Sequence, residues 1–187
     1  MSYGDTLQSW HDFYLTAGAA AATLVGLLFV GLSLHIRVVV SHPDVRSLAR
    51  ATLTNFFVVL LVALVVLAPI SDPRATAWWL ISIGVTSLGL VIRPAIQGFR
   101  MRHPRALALR VLILRFGLSA ICYAGVASVG VIFGRRNLES GLTGLLVVVV
   151  VLLAIAVRNT WDLLVTVADR PEASPSRRPR SANAGEK

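Results

Sequence analysis

The chain has one cysteine, Cys122, and one lysine, Lys187. A single thiol excludes an internal disulfide and a thiolate-rich metal site. No Asp or Glu stands in the middle of any long apolar run, which argues against a proton relay or a carboxylate-coupled pump. Charged residues are scarce, 14% of 187, well short of an ordinary soluble domain. The four histidines, His11, His35, His42 and His103, stand at unrelated spacings and form no metal constellation. There is no phosphate-cradling glycine loop, no pair of carboxylates and no nucleophile beside a base. No catalytic residue, metal or cofactor is assigned on these grounds, and an enzyme is the least supported class.

What remains is apolar: 56% of the residues are hydrophobic and the mean hydropathy is +0.74. The apolar residues fall into five runs, which predicts an all-α integral membrane helix bundle with spans at about 13–35, 51–70, 76–93, 111–133 and 141–158. An amphipathic extension to 169 completes a single domain. In it Trp161, Leu164, Val165 and Ala168 fall on one side, with Arg158, Asn159, Asp162 and Asp169 on the other. The end, 170–187, is a Pro-, Ser- and Arg-rich segment expected to be a disordered basic tail.

The first run, 13–34, carries no charge over 22 residues, and as a helix would measure about 33 Å, close to one hydrocarbon core. The segment before it lacks Lys and Arg, so the run is not expected to be a cleaved signal peptide. Gly18, Ala22 and Gly26 recur every four residues, and such a bare stripe lets a second helix approach closely in lipid. Gly117, Ala120, Ala124 and Ala127 suggest a second close-packing seam in the fourth run. Aromatic residues at run edges, namely Trp10, Tyr14, Trp78, Trp79 and Trp161, are expected to anchor at the headgroups.

Helix boundaries are signalled by Pro43 and by Asp72-Pro73 as starts and by Gly134 as a stop. His42-Pro43 and His103-Pro104 each precede an Arg-dotted helix start. Either a parallel duplication of two spans or simply the same start chemistry accounts for them.

Seventeen of the 18 basic residues are Arg, and the net charge is +9. No soluble basic domain exists to present that charge to a nucleic acid, so the expected partner is an anionic inner leaflet. With the N-terminus outside, 14 basic residues lie on the inner side. Only Arg74, Arg135 and Arg136 lie outside, with Arg115 inside a run. The positive-inside rule therefore predicts an outer N-terminus and a cytoplasmic C-terminus.

Intramembrane polar residues are the next place to look for function. Ser82, Thr86 and Gly89 lead along the third run to Arg93, a stripe that reads either as a narrow polar path or as hydrogen-bonding glue between helices. Asn55, with Thr52, suits an interhelical bond or a place on that polar path, and Arg115 lies close enough to its end of the span to snorkel as an anchor or else serves the path as a pore or ligand residue.

The residues WHDFYLTAGAAAATLVGLLFVGLSLHI, 10–36, resemble the opening span of a group of small bacterial multi-span membrane proteins, some labelled "modulator of FtsH protease". Members share an aromatic start, a small-residue block and a GLLFVxLSLH-like ending. Ala68-Pro69-Ile70 and Trp161-Asp162-Leu163-Leu164 look similar too, so the likeness extends over about 10–169. The resemblance implies the bacterial cytoplasmic membrane and brings no catalytic residues. The function expected is that of a non-enzymatic regulatory, scaffold or assembly component, either a homo-oligomer or a partner of another membrane protein. The alternative is a small oligomeric channel or transporter using the third helix.

Overall fold

Proline marks the breaks before the third and fourth helices in chain order. A residue before proline is pushed out of the α region by the ring, and His42 is extended (φ −116°, ψ 108°), as is Ala68 (φ −64°, ψ 142°). A computed structural model of the chain describes residues 3–70, 72–101, 106–135 and 138–168, and their side chains except at 3–7, 38, 43–44, 93–101, 106–116 and 168. Among these residues the order is α1 (Tyr3–Leu34), α2 (Ile36–Ser41), α3 (Pro43–Leu67), α4 (Pro73–Met101), α5 (Ala106–Gly134) and α6 (Leu138–Ala168). Pro43 opens α3 and Pro73 opens α4, where the Asp72 carboxylate accepts the Arg74 backbone N–H at 2.9 Å. Gly134 closes α5.

The fold is all-helical, and five helices are long and apolar enough to cross a membrane: Gln8–Leu34, Val45–Leu67, Pro73–Ile92, Gly117–Gly134 and Leu138–Val167. The helices outrun the apolar stretches that mark them. Helix α4 continues past Arg93 and Pro94 to Met101, and α1 starts at Tyr3, ten residues before the first apolar run. Hydropathy marks where apolar residues stop, whereas backbone hydrogen bonding decides where a helix stops. At 29 residues, α4 is about 43 Å long, longer than a hydrocarbon core of about 30 Å.

Helices α3 and α6 pack together at the centre. On one side α1 lies in the angle between them; on the other, α4 follows α3, α5 follows α6, and α4 and α5 make the most extensive contact in the bundle. The core is in two parts. One joins Tyr14, Ala17 and Ala21 of α1 to Val58–Val66 of α3, to α4, to Tyr123–Phe133 of α5 and to Leu142–Ile155 of α6. The other, at the α2 end, gathers Leu28, Val39, Val45, Ala49, Phe56, Ala156, Leu163 and Val167.

In that second part α6 runs on as one helix through Ala168. Its last turns bury Asn159, Leu163 and Val167, while Trp161, Leu164 and Val165 face outward. The amphipathic stretch from Arg158 onward is thus, as far as Ala168, a direct continuation of α6. The tail at 170–187 lies outside the described residues, as do His103 and Pro104.

Small residues set the closest approaches. A Cβ built on Gly84 would lie 2.7 Å from the Tyr123 carbonyl oxygen and 2.7 Å from the Ala127 nitrogen. One built on Gly130 would lie 2.9 Å from the Ala77 oxygen and 3.0 Å from the Ile81 nitrogen. Here the backbones of α4 and α5 touch, as small residues allow. Helix α1 meets α3 in the same way, Gly18 standing 2.9 Å (to a built Cβ) from the Ala63 Cβ.

Gly84→Ala is expected to destabilise the protein by about 1–3 kcal/mol, the cost of overpacking. Gly89→Ala, five residues along the same helix with nothing within 4 Å, is expected to leave stability unchanged or raise it by about 0.5–1 kcal/mol. Thermal unfolding of the two variants in detergent checks this.

Candidate functional site

Because α1 leans on α3 and α4 leans on α5, α1 and α4 flank α3 while scarcely touching each other. Between them lies a groove of about 530 Å³. Its floor is the α3 stripe of Leu53, Thr54, Phe57, Val58 and Leu61. One wall is Val25 and Phe29 of α1; the other is Trp79, Ser82, Ile83, Thr86, Ser87 and Leu90 of α4. Both stripes step by three and four residues, one helical face each. From Trp79 to Leu90 the groove extends about 16 Å along the α4 axis, and it opens on the side of the bundle, where Phe29, Phe57, Trp79 and Leu90 are exposed.

Ser82 and Thr86, expected to share a face, do so on this wall, both exposed and facing sideways. Gly89 follows on α4, open on its Cβ side. The side chains of Arg93 and Arg115 lie outside the described residues. Asn55 does not join the groove. It is fully buried and its carbonyl oxygen accepts a hydrogen bond from the Tyr123 hydroxyl of α5, itself fully buried. The Asn55 Nδ2 has no partner among the described residues. Asn55 thus makes an interhelical bond with Tyr123 and does not line the groove beside Ser82 and Thr86.

Thr52, by contrast, bonds the Leu48 carbonyl of its own helix at 2.9 Å. Thr23, Ser33, Thr54, Ser128, Thr160 and Thr166 likewise bond carbonyls three or four residues back. A hydroxyl that satisfies itself in this way needs no partner helix in an apolar setting.

The expected packing residues divide by position. Gly18 is buried against α3, whereas Ala22 and Gly26 are exposed in the single chain and nothing lies within 4 Å of a Cβ on Gly26. A four-residue step advances about 400° around a 3.6-residue helix, so the stripe rotates some 40° per step off the face that Gly18 occupies. The buried α1 line is instead Tyr14, Ala17, Ala21 and Leu28. On α5, Ala124 is exposed, Ala120 half-buried and Gly117 open on its Cβ side. The seam runs through Ala127 and Gly130.

Of the aromatic anchors, Trp78, Trp79 and Trp161 are exposed and Trp10 is partly buried. Tyr14 is fully buried: its hydroxyl donates to the Leu142 carbonyl at 3.2 Å, and its ring meets Phe13 edge-on at 5.0 Å. It ties α1 to α6 instead of standing at a surface.

Among the described residues no three His, Cys, Asp or Glu converge to hold a metal. Cys122 is buried in the core. No family model, curated protein or solved structure matches the chain. Among the described residues the groove is a feature with the capacity to bind something. Its chemistry is that of an apolar ligand, with hydroxyls on one wall and no ionisable group among its lining residues.

Tyr123→Phe is expected to cost about 0.6–1.7 kcal/mol, the range for interhelical hydrogen bonds between apolar helices. Combined with Asn55→Leu it should cost less than the sum of the two single changes, since removing both partners leaves no polar group stranded. A double-mutant cycle on unfolding in detergent measures the coupling.

Proposed function

We propose that the chain is a multi-pass protein of the bacterial cytoplasmic membrane, with five spans, an outer N-terminus and a cytoplasmic C-terminus. It acts without catalysis, as a regulatory, scaffold or assembly component. The observation that carries the membrane reading is the outside of the bundle. Leu27 is 63% exposed, Trp78 70% and Ile121 69%, with Leu64, Val147 and Val150 exposed as well. Large apolar side chains exposed on all five long helices suit lipid and not water. The inner excess of arginine supports the orientation. The resemblance of the first span to small bacterial membrane proteins, some bearing a protease-modulator label, supports the location and a role exerted through contact.

The contact surface in this reading is the part of α1 that its own bundle leaves bare, Ala22 and Gly26. There a helix of a second copy or of another membrane protein can approach closely. The conduit alternative draws on Ser82 and Thr86 sharing one wall, but that wall opens sideways between apolar helices. A conduit then requires several copies arranged around it and should reveal itself as solute flux in liposomes.

Two measurements test the proposal. A cysteine placed at Ser2, in a Cys122→Ala background, should react with an impermeant thiol reagent on intact cells; reaction only after the cells are opened contradicts the orientation. Gly26→Leu should leave thermal stability unchanged while shrinking the assembly captured by crosslinking in native membranes, whereas Gly18→Leu should lower stability itself. If Gly26→Leu leaves the captured assembly intact, α1 is not the contact surface.

A further inference from the structure

The groove between α1, α3 and α4 has a charge at one end. Its α3 floor, Leu53, Thr54, Phe57 and Leu61, continues by helical register to Arg50, one turn before Thr54 on the same face. Arg50 is exposed, and among the described residues no carboxylate pairs with it. Its backbone carbonyl accepts the Thr54 hydroxyl at 2.9 Å, so the first polar residue of the floor turns back on its own helix. Arg50 is also the last charge before the uncharged stretch that begins at Ala51.

The dimensions fit one leaflet. The groove's floor and walls extend for about 12–16 Å, roughly half of a hydrocarbon core of about 30 Å. It occupies the half of α3 nearest Arg50, the lower half of α1 around Val25 and Phe29, and α4 from Trp79 down to Leu90. A transmembrane helix would need a channel of the full height, and this groove offers only half of it.

We propose that the groove seats one acyl chain of an anionic phospholipid of the inner leaflet, with the Arg50 guanidinium holding the headgroup phosphate. The inference rests on the membrane reading above and on its orientation, which places the Arg50 end of α3 at the cytoplasmic side. A guanidinium matches a phosphate with paired N–H donors. The chain then lies along Phe57, Ile83 and Phe29, ending near Trp79. No covalent step is involved: the lipid is a bound structural ligand that fills the gap between α1 and α4.

Trp79 reports on this site and Trp78, which points outward and does not line the groove, reports on bulk lipid. Two versions of the full chain are needed, each keeping one of these tryptophans and carrying Phe at the other three. Both are reconstituted into phosphatidylcholine vesicles with a minor fraction of either brominated phosphatidylglycerol or brominated phosphatidylcholine, and fluorescence quenching is read. Trp79 is expected to favour the anionic lipid by about fivefold, while Trp78 shows little preference. Arg50→Gln should abolish the preference at Trp79, and Arg50→Lys should retain some of it because a cation remains.

Equal preference at both tryptophans would mean general enrichment of anionic lipid around a basic protein, and it overturns the site. So does a preference at Trp79 that survives Arg50→Gln. If Trp79 is shielded from both brominated lipids while Trp78 is quenched, a protein segment fills the groove and the lipid assignment is wrong. A chain that fails to float with the vesicles refutes the membrane reading itself, a result distinct from loss of the lipid preference alone.

Discussion

The backbone contact between α4 and α5 is the constraint on which the rest of the arrangement depends. At Gly84 and Gly130 there is no room for even one added carbon, so the two helices are held as a pair. Gly18 against Ala63 fixes a second pair, α1 with α3. The central α3–α6 contact then joins the two pairs. Since α4 is committed to α5 and α1 to α3, the space between α1 and α4 is left over, and it becomes the groove. Packing drives association where lipid removes the hydrophobic incentive, so the tightest contacts determine where the gaps fall.

The number of long helices was legible in the sequence because uncharged runs of membrane length have few alternatives. The starts at Pro43 and Pro73 and the stop at Gly134 were legible as local backbone chemistry. The length of α4 beyond Arg93 was not, since its continuation is polar and Pro94 reads as a break. Nor was the inward turn of Asn159, which hydropathy assigns to the wet side of α6. Its burial with Leu163 and Val167 depends on α3 and α2 arriving from far away in the chain.

The packing seams show the same limit at finer scale. A four-residue glycine–alanine repeat drew notice to Gly18, Ala22 and Gly26, yet only Gly18 meets another helix within one chain. The α4–α5 seam has a local signal of its own, Gly130-Val-Ile-Phe-Gly134, whose last glycine also serves as the helix stop. Its counterpart Gly84 is an isolated glycine, and only the partner helix gives it meaning. The polar residues divide likewise. Ser82 and Thr86 share a face by spacing, whereas the bond between Asn55 and Tyr123 spans 68 positions and no local pattern announces it.

The pairing of α4 with α5, and the separation of α1 from α4 that follows, can be read directly by disulfide crosslinking in native membranes. A Cβ at Gly134 would lie 3.9 Å from the Ala77 Cβ, within the range for a disulfide. With Cys122 replaced by Ala, Ala77→Cys with Gly134→Cys should crosslink within one chain on mild oxidation, and Phe29→Cys with Thr86→Cys across the groove should not. Crosslinking of the second pair but not the first would contradict the arrangement and remove the groove with it.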